Sequence, residues 1–385
     1  MKTKFWLLSG LIISLGLASM NAQAIPTFAR KTGIACSGCH YAVPALNSMG
    51  RSFKMNGYRL SSGAKPARKF NDYLNLDKSF PIAAAFVSRP YDKSKGGETN
   101  IEAIHELEFY VAGSFGQDWS GFLEIAGAPG ESVGVDHGQI TYSASPEMNF
   151  QVAWGPTFWS DPYDTLTHMR RITVGESSII GSDFGGADGP VGENRAYIKV
   201  NGRIANNLYY SVGLGSQIDN ASGADPQTLV GRLAYDVTQN IMLGAYLVDG
   251  TCTIASASEF CLLADRDYTR EGFDFQGDFG NWRFTGVYLH AKDDDELGVT
   301  SETNDALTGR MTYAIVEDGR PVWVPYLQVD KHELMNGVES ITDTTVGLIH
   351  FFDENIKVTF EYVDTTGDGT TPDDNSAKIQ IAAYF

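Results

Sequence analysis

Two thiols three positions apart, followed at once by an imidazole, stand in a chain of 385 residues as Cys36-Ser37-Gly38-Cys39-His40. At this C-x-x-C-H spacing the two sulfurs can form thioethers to the two vinyl groups of one haem, and the imidazole is placed to bind the iron from the proximal side. A dithiol redox pair of the same spacing needs a strand–helix–strand context, which is missing around residue 36. The motif therefore predicts one covalently bound haem c on Cys36, Cys39 and His40.

The remaining cysteines, Cys252 and Cys261, both fall in the segment 251–266. They read as one disulfide bracing a surface loop, in keeping with an oxidising compartment. His105-Glu106 and His332-Glu333 begin like zinc-protease motifs, but Phe109 and Asn336 stand where the second histidine belongs, which removes that chemistry. Acidic residues crowd the long connections: Asp161, Asp164, Glu176, Asp183 and Asp188 in one, Asp293 to Glu296 in another, Asp368, Asp373 and Asp374 in a third. Such hard oxygen ligands attract divalent cations, either to concentrate them at the mouth or, more plainly, to bind Ca or Mg at a solvated surface.

The elements that position these residues follow from composition and pattern. Residues 1–24 carry a basic start (Lys2, Lys4), an apolar run from Phe5 to Met20 and Ala22-Gln23-Ala24, the organisation of an export signal cleaved near Ala24. Beyond it no stretch approaches the roughly 18 apolar residues of a membrane helix. The net charge of -18 makes nucleic acid an unsuitable partner, since duplex binding rests on Lys and Arg neutralising phosphates.

Residues 25–78 do not alternate in hydropathy and form a small unit around the haem motif. From residue 79 to 385 the period is 2. Sixteen candidate strands lie near 80–90, 103–115, 119–127, 135–145, 147–156, 193–203, 205–216, 227–238, 240–250, 267–276, 280–291, 305–316, 319–330, 340–351, 354–364 and 377–385. Short connections with turn residues, such as Asp318-Gly319 and Asp353-Glu354, alternate strictly with long ones. That is the scheme of an outer-membrane β-barrel with short periplasmic turns, long outer loops and an even strand number. The faces agree: Leu229, Leu233, Tyr235 and Val237 oppose Arg232 and Asp236, and Ile379, Ile381, Ala383 and Phe385 share one side. The fold class expected is an all-β, 16-stranded antiparallel outer-membrane barrel with a small N-terminal haem c segment in or under it. The 36-residue connection 157–192 is longer than a link requires and is expected to fold into the lumen as a constriction.

The stretch Ile25-Pro26-Thr27-Phe28-Ala29-Arg30-Lys31-Thr32-Gly33, the haem motif, and then Pro44, Leu46, Gly50-Arg51, Phe53-Lys54 and Gly57-Tyr58 closely resemble the N-terminus of the fused monohaem cytochrome-porins, the outer-membrane iron-oxidising cytochromes of iron-oxidising bacteria. The motif resemblance spans residues 25–58; over the barrel it extends to architecture, length and strand count. It implies a haem-bearing segment at or inside one porin-like barrel, an extracellular electron donor such as Fe(II), and a periplasmic c-type cytochrome as acceptor.

The distal iron ligand is less determined. If a helix starts near Pro44, then Leu46, Met49 and Phe53 share an apolar face on which Met49 meets the haem; Met55 is the second choice, and a lumen or loop group the third. A methionine on such a face more often simply packs. His105 shares its strand face with Leu107, Phe109 and Val111 and so points at lipid or its border. Two functions compete: an electron conduit of the Fe(II):cytochrome c oxidoreductase type, and a diffusion porin whose haem-bearing segment is a plug or redox gate. For the second, lumen-facing Arg195, Lys199, Arg232, Lys357 and Lys378, interleaved with Glu106, Glu108, Asp236 and Glu361, would suit a solute path. A soluble periplasmic cytochrome with a β-sandwich loses on the hairpin pattern.

Overall fold

The computed structural model describes residues 26–60, 81–115, 118–163, 165–166, 172–175, 191, 194–217, 227–253, 265–294, 300–368 and 372–385. The expected export signal, and the boundary expected near residue 78, lie outside these residues. An N-terminal unit comes first: α1 (Pro26–Thr32), α2 (Cys36–Cys39), β1 (His40–Ala42), β2 (Ala45–Leu46) and α3 (Ser48–Met55). The barrel strands follow as β3 (Ile82–Lys93), β4 (Thr99–Phe115), β5 (Trp119–Gly127), β6 (Gly134–Ser145), β7 (Met148–Pro156), β8 (Asn194–Ile204), β9 (Leu208–Gly215) and β10 (Thr228–Thr238). The second half is β11 (Ile241–Cys252), β12 (Arg266–Phe279), β13 (Trp282–Asp294), β14 (Ser301–Tyr313), β15 (Ile315–Glu317), β16 (Arg320–Leu334), β17 (Glu339–Asp353), β18 (Ile356–Asp368) and β19 (Asp374–Tyr384).

These strands form one closed antiparallel barrel, each paired with its sequence neighbour and β19 returning to β3. The three-residue β15 continues β14 past Ala314, and both pair with β16, so sixteen strands build the wall. Each observed strand overlaps one expected from the period-2 pattern. The difference lies at the outer ends, where β4, β14 and β18 run about four residues further than the alternation indicates. Segments such as Ser301-Glu302-Thr303-Asn304 have no apolar face to reveal them, yet their backbone groups still pair across the ladder, as closure of a barrel demands.

Side-chain alternation sorts the two faces. Ile198, Leu233, Leu243, Phe273 and Leu307 are exposed on the outside and form the apolar belt of a membrane barrel. Exposed Phe115, Trp119, Phe279, Trp282 and Phe352 sit beside the short turns, as an aromatic girdle does at a membrane interface. At one such turn Asp318 and Gly319 both take positive φ, 51° and 79°, the two-residue geometry whose twist matches the flanking strands. The inner face is polar, and Arg195, Lys199, Arg232, Lys357 and Glu361 are all buried there.

Among the described residues, two pieces of chain occupy the interior. The described part of the connection after β7 turns inward: Phe158, Trp159, Asp161, Tyr163, Thr165, Leu166, Ile172 and Val174 are buried. Its groups reach several walls, with Tyr163 donating to Asp236 (2.7 Å), Thr165 to Asp274 (2.6 Å), and the Val174 and Gly175 N–H groups to the Glu361 carboxylate (2.7 and 2.9 Å). Arg232 grips this loop through Asp161 at 3.0 Å while forming a two-point pair with Asp274 (2.5 and 2.8 Å). The second piece is the N-terminal unit, lodged at the short-turn end of the barrel.

Candidate functional site

The C-x-x-C-H motif is held by contacts that run from its own backbone into the barrel. Ile34 and Ala35 lead into the single-turn α2, and His40 begins the small ladder β1–β2, opposite Leu46. The His40 Nδ1 lies 2.9 Å from the Pro44 carbonyl oxygen. A donor bond there fixes the ring's tautomer and leaves Nε2 as the lone-pair nitrogen. Asn47 caps α3, its side-chain oxygen accepting the N–H groups of Met49 (2.9 Å) and Gly50 (3.0 Å), a contact worth about 1 kcal/mol. Its amide nitrogen donates back to the carbonyls of Ser37 and Gly38, so one side chain joins helix and motif. Gly50 makes the approach possible: a Cβ there would lie 2.1 Å from the Cys39 carbonyl oxygen.

Barrel groups complete the anchoring. Glu354 accepts the Cys36 N–H and the Ser37 hydroxyl, both at 2.7 Å. Lys357 donates to the Val43 carbonyl (3.1 Å), Arg283 to that of Leu46 (2.9 Å), and the Tyr41 hydroxyl to that of Asn281 (2.6 Å). From above, Lys54 donates to the carbonyl oxygens of Trp159 and Asp161 and lies 4.5 Å from the Trp159 ring centroid. The unit is thus clamped between short turns and the inward loop.

Between the unit and the wall lies a cavity of about 1210 Å³, mouth included. It is lined on one side by Cys36, Cys39, His40, Leu46 and Phe53, and on the other by Tyr110, Phe122 and Glu124 of the wall, Tyr384 of the closing strand and Trp159 of the loop. Its surface is mainly apolar, as small-molecule and cofactor sites usually are. Neither thiol is in a disulfide, and burial pushes the Cys39 thiol up from its ordinary value, which keeps it protonated at neutral pH. Two thiols and an imidazole on one apolar cavity are the donor set that could hold a haem c.

An aromatic layer ties the cavity to the barrel. Tyr58, two residues past the Asn56 cap that ends α3 and with a left-handed φ of 61°, stacks on Phe28 (5.0 Å between centroids) and faces Phe122 (6.3 Å). Its hydroxyl accepts from Gln139 (3.0 Å).

Both candidate methionines stand outside the cavity lining. The helix begins at Ser48 under the Asn47 cap, and not near Pro44. That phase turns Gly50 and Phe53 toward the cavity and leaves Met49 41% exposed. Met55 packs with Tyr163, Tyr209 and Met242. Neither lines the cavity, so the groups facing the haem motif across it come from wall and loop. His105 stands away from it, beside Glu102 at 2.6 Å. Cys252 is buried and disulfide-bonded, while Cys261 lies outside the described residues. Sequence reasoning singled out the Trp159 loop but missed Glu354, Asn47, Tyr110, Phe122, Glu124 and Tyr384, since alternation marks an inward side chain without saying what it meets.

The strand order, the outward apolar belt and the inward loop decide the architecture. The fold is that of the outer-membrane porins. A loop-deletion mutant of OmpT from Vibrio cholerae superposes with a TM-score of 0.58 at 16% identity, covering 79% of this chain and 98% of that one. The anion-selective porin of Comamonas acidovorans gives 0.58 at 11% identity over 79% and 98%, and Salmonella typhi OmpF in complex with daunomycin gives 0.57 at 12% over 79% and 97%. No protein-family model and no curated protein matches the chain.

Proposed function

We propose that the chain is an outer-membrane cytochrome-porin, exported by residues 1–24 with cleavage near Ala24, that carries electrons from an extracellular donor through one c-type haem to a periplasmic c-type cytochrome. Fe(II) is the donor we favour, by the resemblance of residues 25–58 to the cytochrome-porins. The observation that carries the reading is a single cavity walled jointly by Cys36, Cys39 and His40 and by the barrel's own Tyr110, Phe122 and Tyr384. A haem c bound there supplies a one-electron couple. The chain's residues do the rest. Cys36 and Cys39 hold the group covalently, His40 offers Nε2 while Pro44 orients its ring, and Phe28, Phe53 and Phe122 exclude water. The inward loop, through Trp159, covers the outer side, and α1 to β2 lie toward the periplasmic turns, so the cavity lies between the loop and those turns.

The test is stopped-flow reduction of haem-loaded protein by Fe(II) at neutral pH, beside a non-metal reductant. Rapid reduction by both supports the conduit; reduction by the second alone removes Fe(II) as donor.

A second reading, a diffusion porin with the haem-bearing unit as plug or redox gate, is favoured by the likeness to solved porins and by the charged lumen. Large, haem-independent currents in planar bilayers would select it over a sealed conduit.

A further inference from the structure

We propose that Glu124, Asp136 and His137 form a binding site for a divalent first-row cation, with Fe(II) in its class. Glu124 on β5 stands directly opposite His137 on β6. Two neighbours in a strand normally point to opposite faces, but the register slips here: Glu124 pairs with His137 and Ile125 with Val135. Asp136 is the extra residue of a bulge, the device by which a strand re-aims a side chain. One ligand atom from each of the three residues then lies within 4.8 Å of the others.

The imidazole is the second, independent observation. His137 is 1% exposed, and its Nε2 has no hydrogen-bond partner among the described residues. That nitrogen lies 3.4 Å from Glu124 Oε2, while Nδ1 lies 3.3 Å from Asp136 Oδ2. A buried polar atom without a hydrogen bond is unfavourable; a cation seated beside the carboxylates would satisfy it. The ring is built into position by stacking on Phe122 (5.0 Å, 11°) and packing on Trp159 (4.2 Å). Gly155 leaves it room, since a Cβ there would come within 2.8 Å of the His137 Cβ. Two carboxylates and one imidazole suit Fe(II), Mn(II), Co(II) or Zn(II).

Access and neighbourhood point the same way. Asp136 also lines a groove with Glu102, His105, Glu106 and Glu131 at the outer ends of β4 to β6, an acidic approach for a cation. On the inner side Glu124, Phe122 and Trp159 line the cavity of the haem motif. The bound cation would therefore sit one aromatic layer from Cys36, Cys39 and His40. Its use as the electron donor rests on the conduit reading above; its binding does not.

The experiment is titration of the purified full-length protein in detergent with Co(II), followed by ligand-field absorption and calorimetry, without a histidine tag. The wild type is expected to fill one saturable site, and His137→Ala and Glu124→Gln to weaken it at least tenfold. Asp136→Asn, at a half-buried position, serves as a third variant if the other two disturb folding, which heat-modifiable electrophoretic mobility reports. Co(II) binding that survives unchanged in any folded variant of His137 or Glu124, or in Asp136→Asn if those two do not fold, overturns the site and leaves the ions to loop carboxylates. Haem content and reduction by a non-metal reductant are read on the same samples. Intact Co(II) binding in a chain that takes up no haem would end the conduit reading and keep the site.

Discussion

The Glu354 carboxylate receives the backbone N–H of Cys36 at 2.7 Å across 318 residues of sequence, tying the first cysteine of the haem motif to the turn between β17 and β18. Its other oxygen takes the Ser37 hydroxyl. Each charge-assisted bond contributes roughly 1.5–3 kcal/mol when well shielded, less here because the site is only partly buried. Glu354→Ala is expected to cost about 2 kcal/mol of docking stability and to lower haem content per folded barrel, measured as Soret absorbance against folded-band intensity. Unchanged haem content would show that the anchor is dispensable.

Gly50→Ala drives a methyl into the Cys39 carbonyl oxygen, a backbone atom with no free rotation to give way. The expected cost is about 1–3 kcal/mol, concentrated on the N-terminal unit. The barrel should still shift in heat-modifiable electrophoresis while covalent haem staining falls severalfold.

The two methionines should behave oppositely. Met49→Ala, at an exposed helix position, should leave the haem spectrum and midpoint potential unchanged. Met55→Ala empties a packed contact with Tyr163, Tyr209 and Met242 and should destabilise the plug by about 2–5 kcal/mol, read from the denaturant midpoint of the Soret circular dichroism. Loss of a far-red methionine–ferric charge-transfer band in Met49→Ala would restore that residue as distal ligand.

Lumen charge should depend on pH through the inward loop. Burial, only partly offset by Arg232, pushes the Asp161 carboxyl up to about 6. It is therefore ionised at neutral pH and becomes neutral as pH falls through about 6, leaving Arg232 with Asp274 alone. Reversal potentials in a salt gradient should move toward anion preference over that interval, and Asp161→Asn should flatten the change. A shift of equal size in the variant would assign it to other carboxylates.

The barrel was legible because lipid on one side and a polar interior on the other force alternation, as with Leu229, Leu233 and Val237 against Arg232. Cys36, Cys39 and His40 stood out as a candidate site because of their spacing, and the structure sets all three on one cavity. The inward course of the Trp159 loop could be anticipated from its length. What the sequence hid depends on contacts between distant segments: the cap at Asn47 that sets the phase of α3 and turns Met49 outward, the Glu354 anchor, and the bulge that brings Asp136 round to His137. A period-2 pattern carries no record of a one-residue slip when the flanking residues, Val135 and Gly138, are an apolar side chain and a glycine.

Tyr384 of β19 and Tyr110 of β4 face the same cavity from either side of β3, so its wall straddles the junction where the sheet becomes a cylinder. Until that ladder forms, one flank of the cavity is open, and a group already attached at Cys36 and Cys39 would lie against water. Joining β19 to β3 is therefore the pairing that closes this flank of the cavity.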